Sequence, residues 1–296
     1  MISELYKVGN DVKMKFHHWT LELYSNGGTL WPDWLKKAGI DRGRIKSIRV
    51  AEGTVRLPED ARGYDQQKRV YTMFGGLVNA ESIDLKGIDT SNATDMSYMF
   101  YNCNKLTTLD LGSFGTSKVT DMKSMFSNCV NLTDLDLSGF DTSHVTNMNS
   151  MFDNCWNLTD LNLSNFDTSN VTSMRWMFAG CANLTHLSLK SFNTSNVTDM
   201  GWMFLGCKNL TSLDLSGFDT SRVIDMSDMF SGCEGLATLD LSSFDMSKAK
   251  DISDMFVNCK GLKEIKMQQT IGQNTNTHNM FLNCPVKTIW TDGKKY

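Results

Sequence analysis

The pair Met-Phe returns at Met99-Phe100, Met125-Phe126, Met151-Phe152, Met177-Phe178, Met203-Phe204, Met229-Phe230 and Met255-Phe256, each step 26 residues long. An earlier copy, Met73-Phe74, keeps the step, and a later one, Met280-Phe281, falls one residue short. Cysteine follows three places after each Phe, from Cys103 to Cys284, with Leu77 in its place in the first copy, so that all 8 cysteines are used. A fixed period of this length is the signature of a solenoid. Each repeat is one supersecondary unit that cannot bury its apolar face alone and leans on its neighbours.

One unit, taken from Cys129, gives the plan. Leu132, Leu135 and Leu137 end in period-two alternation, which predicts a strand with one buried face. Val145, Met148, Met151 and Phe152 are spaced by three and four, which predicts a short helix or 3₁₀ turn. Asp141, Thr142 and Ser143 lie between them and bond readily to nearby backbone. The expected fold is therefore α/β: a leucine-rich-repeat solenoid of about nine coils, with a parallel sheet carrying one short strand and one short helix or 3₁₀ turn per 26-residue coil.

The ends read differently. Residues 11 to 30 predict a β-hairpin, with Trp19, Leu21 and Leu23 in a strand and Ser25-Asn26-Gly27-Gly28 as its turn. Pro32 opens a helix through Trp34, Leu35 and Ala38, closed by Gly39. Ile45, Ile48 and Val50 repeat the leucine spacing as a first coil strand, and Val286 and Ile289 mark a last one. The expected division is an N-terminal hairpin-and-helix cap over 1–44, the solenoid over 45–284, and a final strand with its tail over 285–296.

Charge and motifs narrow the function. With 33 acids against 29 bases and no basic block, nothing favours nucleic acid. No apolar run reaches membrane-spanning length, so no membrane insertion is expected. Met-Ile-Ser-Glu-Leu at the start reads as no signal peptide. The histidines, His17, His18, His144, His186 and His278, fall at non-equivalent places, and no nucleophile elbow, phosphate loop or zinc-protease motif occurs. We expect no catalysis, no cofactor and no metal. The cysteine column reads as a ladder of buried thiols, with cross-coil disulfides as the alternative. Most of the 19 methionines hold repeat-fixed places and read as core.

Two outward-facing columns remain as ligand-binding candidates. Asp84, Asp110, Asp136, Asn162, Ser188, Asp214 and Asp240 share one place between two leucines, beside a column of Thr107, Thr133, Thr159, Thr185 and Thr211. Such a stripe is either a solvated face or an attractor of Ca²⁺ or a basic partner. The other column varies in the place just before each Met-Phe: Tyr98, Ser124, Ser150, Trp176, Trp202, Asp228 and Asp254. It puts Trp176 and Trp202 on adjacent coils, with Trp156 nearby. Exposed tryptophans are typical binding hot spots. The ligand-binding candidates from these columns are Trp156, Trp176, Trp202, Tyr98, Asp110, Asp136, Asp214 and Asp240.

The run Asp-Thr-Ser-Asn/His-Val-Thr-x-Met-x-x-Met-Phe-x-x-Cys-x-x-Leu-x-x-Leu-x-Leu, over residues 73 to about 284, resembles the BspA-like leucine-rich-repeat surface proteins, including those with lactobacillus-type surface-protein repeats. Trp19-Thr20-Leu21, Gly28-Thr29-Leu30, Trp31 and Ile45-Lys46-Ser47-Ile48 resemble that family's amino-terminal cap. The resemblance implies a bacterial cell-surface or secreted, adhesin-like protein. Its partners would be proteins or glycans on a host or neighbouring cell, and it supplies no catalytic residues. The alternative is a structural or display module, such as a phage tail-associated or scaffold protein.

Overall fold

The computed structural model describes residues 5–67, 69–267, 271–291 and 294–295. Residues 1–4, part of the start read as lacking a signal peptide, lie outside them.

The chain opens with an antiparallel hairpin of β1 (Tyr6–His17) and β2 (Thr20–Leu30), but its turn is not where the sequence places it. His18 and Trp19 make the turn, with φ of 45° and 67°. A two-residue turn with both residues left-handed matches the twist of the strands it joins. Ser25 to Gly28 instead lies inside β2 as a bulge. The register jumps from Asn10↔Thr29 to Val12↔Ser25, Gly27 has φ 87°, and the Gly28 amide donates to Ser25 Oγ. Glycines there signal a left-handed backbone, and a bulge needs one as much as a turn does.

A short helix α1 (Trp34–Lys37) follows, closed at Gly39, which has φ 68°. The Ile40 amide reaches back to Leu35 O and the Gly39 amide to Lys36 O, which satisfies the last carbonyls. Strand β2 then pairs in parallel with β3 (Ser47–Arg56). The small hairpin of β4 (Tyr64–Asp65) and β5 (Val70–Tyr71) comes next. Strand β3 pairs in parallel with β6 (Ser82–Ile83) and with β7 (Ile88–Asp89). The opening hairpin thus continues the sheet that the coils build.

The stack is a parallel solenoid of about nine turns. Its leucine strands pair coil to coil, as in β8 (Thr108–Leu109) with β9 (Asp134–Leu135). At the far end β10 (Thr238–Leu241), β11 (Glu264–Met267) and β12 (Thr288–Thr291) pair in parallel, and β13 (Lys294–Lys295) turns back antiparallel on β12.

The return segment of each coil is not the expected helix or 3₁₀ turn. Among the described residues, helical turns occur only at α1 and at Arg42–Arg44, ahead of the repeats. In the coils, backbone amides alternate between two duties. Met96, Tyr98, Phe100 and Asn102 donate to Asp121, Lys123, Met125 and Ser127 of the next coil. Met99, Tyr101 and Cys103 close turns on the residue three back. Two left-handed residues per coil enforce this. One is the place before Met-Phe, with φ of 58° at Tyr98 and 57° at Trp176; the other is the place before Cys, with φ of 59° at Asn102. A buried helix of one turn would strand its terminal amides and carbonyls. The cross-coil ladder pairs them instead.

The interior is a set of columns. Phenylalanines from Phe74 to Phe281 stack with ring centroids 5.2 to 5.8 Å apart. Seven cysteines, Cys103 to Cys259, are buried and unbridged, while Cys284 is half-buried. Each buried Sγ donates to the Phe carbonyl 29 residues back, as in Cys155 to Phe126 O at 3.2 Å. Burial pushes the Cys207 thiol up to about 12. Thr116, Thr142, Thr168 and Thr194 form a buried hydroxyl ladder. Thr142 Oγ1 donates to Asp167 O at 2.9 Å and accepts from the Asp167 amide at 2.8 Å. This accounts for the Asp-Thr-Ser motif: the Thr staples coils, and Asp141 beside it accepts from the Ser143 amide and hydroxyl.

Candidate ligand-binding groove

The variable column before Met-Phe sits on the ladder face, and its side chains do not all point into water. Ser124 and Ser150 are buried, Tyr98 and Trp202 are half-buried, and Trp176 is 41% exposed. The two indoles of Trp176 and Trp202 meet edge to face, 5.7 Å apart. Their backbone amides are tied to the following coils, at Gly201 O and Ser227 O. Arg175 packs against both, its guanidinium 3.9 Å from the Trp202 ring and 5.2 Å from the Trp176 ring. Arg175 Nη1 in turn bonds Asp225 at 2.8 Å and Asp199 at 3.3 Å. Cation–π contact and carboxylate clamps together hold the pair in place.

Trp156, 52% exposed, stands across from the pair, with its indole Nε1 donating to Asn154 Oδ1 at 3.1 Å. The three tryptophans enclose an open groove of about 790 Å³. Its small residues are Ala179, Gly180, Ala182 and Gly206, which form the floor, and Asp153, Asn154, Asn157, Asn183, Leu205 and Lys208 complete its lining. The size suits a small ligand or a short stretch of a longer one.

The floor exists because the repeat is broken there. The left-handed place before cysteine is asparagine in Asn102, Asn128, Asn154 and Asn258, but glycine in Gly180, Gly206 and Gly232. A Cβ on Gly206 would find its nearest neighbour, Gly180 Cα, 3.9 Å away. The space above it is open. Asp153 borders that space with one side-chain bond, from Ser127 Oγ at 3.2 Å. Burial raises its carboxyl to about 6, against the lowering effect of the Ser127 hydroxyl. Arg175, Asp153 and the glycine substitutions are absent from the sequence reading. Aligning the coils and marking departures from the repeat would have exposed all of them.

The other candidates lie elsewhere. Tyr98 packs in a cluster with Tyr64, Tyr71 and Tyr101, beneath the β4–β5 hairpin. Asp110, Asp136, Asp214 and Asp240 are exposed on the strand face, and none lines the groove. Each accepts from the backbone amide two residues on: Gly112 at 3.0 Å, Ser138 at 2.9 Å, Ser216 at 3.1 Å and Ser242 at 3.0 Å. The serine hydroxyls, with those amides, hold Asp136 and Asp214 below the usual carboxylate range. The stripe is thus a row of turn caps. Among the described residues no group of three or more His, Cys, Asp or Glu is placed to hold a metal ion. No described helix is long and apolar enough to cross a membrane.

A continuous spiral of leucine strands and Met-Phe returns, stacked on phenylalanine and cysteine columns, defines a leucine-rich-repeat solenoid. The chain belongs to the family described as "Mycoplasma protein of unknown function, DUF285", which matches residues 68–187 and again 172–290. Among solved structures, a leucine rich cell surface protein from Faecalibacterium prausnitzii A2-165 is similar at 14% identity, over 98% of this chain and 95% of that one, with a TM-score of 0.26. No curated protein matches the chain.

Proposed function

We propose that this protein is a non-catalytic binding module, a bacterial surface or secreted repeat protein that takes a ligand in the Trp156–Trp176–Trp202 groove. The observation that carries the reading is the held but uncovered aromatic pair. Arg175 fixes two indoles, a third lines the same groove, and Gly180 and Gly206 stand in its lining where most other coils hold asparagine. Exposed apolar surface of this kind is costly unless a partner covers it. Adhesin-like attachment to proteins or glycans of a host or neighbouring cell fits a stiff array with one specialised stretch. The test is capture of labelled host-surface and cell-wall fractions by the whole chain. Serine already stands at the equivalent places in Ser124 and Ser150, so Trp176→Ser with Trp202→Ser keeps the local backbone. The pair should weaken capture by about tenfold or more, the scale of two hot-spot residues. Undiminished capture would remove the groove from function.

A further inference from the structure

The repeat contains its own precedent for what lies over a glycine in the column before cysteine. At Gly76 that place is filled. A Cβ there would meet Tyr71 Cγ, Cδ1 and Cδ2 at 2.5 to 2.6 Å, so the tyrosine ring lies flat over the glycine. The ring's hydroxyl accepts from Asn102 Nδ2 at 2.8 Å, and Asn102 is the same column one coil on. Here a hydroxyl-bearing ring, supplied by the β4–β5 hairpin, occupies the gap and is read by a neighbouring amide. At Gly180 the Asn154 carboxamide lies over the place, a Cβ meeting its Oδ1 at 2.5 Å, whereas above Gly206 the space is open and no ring among the described residues fills it.

Resting on the groove as ligand site, we infer that it takes a neutral oligosaccharide, with a pyranose ring over Gly206 and its faces against the indoles.

Four observations favour this class. Indole faces are electron-rich and suit the polarised C–H bonds of a sugar face. The polar lining is mainly neutral amide, Asn154, Asn157 and Asn183, together with Asp153, whose carboxyl accepts from Ser127 Oγ at 3.2 Å and has further lone pairs to accept from hydroxyls. A cationic ligand is disfavoured, because Lys208 lines the groove and Arg175 already lies over Trp202. An extended peptide cannot add as a strand. The amides of Trp176, Gly180, Trp202 and Gly206 are all spent on the next coil, at Gly201 O, Leu205 O, Ser227 O and Ser231 O. What remains exposed for recognition is ring faces and side-chain polar groups.

The experiment is titration of the whole chain with neutral gluco-, manno-, galacto- and N-acetylglucosamine oligomers, followed by tryptophan fluorescence. Wall-polysaccharide fragments and glycans released from host glycoproteins form two further arms that separate the sources. At least one neutral series should give a saturable change. The change should vanish in Trp156→Ala and fall at least tenfold in affinity in Gly206→Asn. The second variant fills the floor with the residue that five other coils hold at that backbone angle, and an unchanged melting curve shows that it folds. No saturable change with any neutral series overturns the sugar assignment. If deglycosylated proteins or aromatic peptides bind instead, with the same sensitivity to both variants, the groove stands and the ligand class falls. If no ligand responds to either variant, both fall.

Discussion

Residues 71–101 and residues 154–206 run the same repeat, yet they treat the same column in opposite ways. In the first stretch Gly76 leaves a gap and Tyr71 fills it. Arg42, half-buried, donates to Tyr71 O, Met73 O and Gly75 O at 2.8 to 3.1 Å, which pins that tyrosine over the glycine. Tyr64, Tyr98 and Tyr101 close around it. In the second stretch the Asn154 side chain lies over Gly180, the space above Gly206 stays open, Trp156, Trp176 and Trp202 line it, and no segment among the described residues crosses it. A solenoid coil has one design, so an aromatic platform that is covered in one place and bare in another reports a difference of use. The covered one is structure; the bare one is the groove proposed above to take a ligand.

The largest expected effect comes from placing the same side chain in both gaps. Asparagine tolerates the left-handed angle at either glycine, so backbone strain drops out of the comparison. Gly76→Asn drives a Cβ into the Tyr71 ring and should destabilise by about 1–3 kcal/mol, the usual scale of overpacking. Gly206→Asn meets open space and should stay within about 0.5 kcal/mol. Chemical denaturation followed by circular dichroism measures both. Equal losses would mean that the two gaps do not differ in the way described.

Removing rings should divide the regions the same way, at a smaller scale. Tyr71→Ala takes a packed ring and its bond to Asn102, for a cost of about 2 kcal/mol. It also opens the first gap to solvent. Trp176→Ser with Trp202→Ser removes more surface, yet the indoles hold little of the fold together. That pair should change stability by less than about 1 kcal/mol while stripping the groove of its binding face. A large loss of stability in the tryptophan pair would make it a packing device like the tyrosines.

The sequence made some of this legible and hid the rest for identifiable reasons. The Leu, Met, Phe and Cys columns are plain because core-facing side chains must match their neighbours in every coil. Spacings of three and four predict a short helix or 3₁₀ turn in the return segment, yet they occur equally in a chain that alternates self-closing turns with cross-coil bonds. Only backbone angles separate the two, and the left-handed residues include Tyr98, Trp176 and Trp202, side chains that give no hint of it. His18-Trp19 has no turn chemistry either, while Ser25-Asn26-Gly27-Gly28 has it and serves a bulge. Trp156, Trp176 and Trp202 were visible as apolar residues in variable places, and the structure brings them together. Tyr98 shares the column of Trp176 and Trp202, but the β4–β5 hairpin that covers it lies outside the repeat, where periodicity says nothing. Arg175 and the glycine floor were hidden because a single departure means little until neighbouring coils are laid side by side.

Asp153 offers the finest division between the two regions, since the covered gap has Tyr101 two coils back in the same place and no carboxylate. Burial raises the Asp153 carboxyl to about 6, above the ~3.9 of an unfolded chain. For an acid whose folded value is raised, the stabilising contribution is complete below about 3.9 and fades as pH climbs through about 6. Asp153→Asn should therefore flatten part of the stability loss between those limits. Ligand binding should run the other way. The ionised carboxylate is the better acceptor for hydroxyl groups, so affinity should fall a few-fold, on the order of 0.5–1 kcal/mol, as pH drops below about 6. In Asp153→Asn the affinity should be weaker and flat with pH. Titrations of the same oligosaccharide on either side of that pH measure both slopes. A wild-type affinity that ignores pH while stability follows it would place the carboxylate beside the ligand without touching it, and would confine recognition to the indoles and the asparagines.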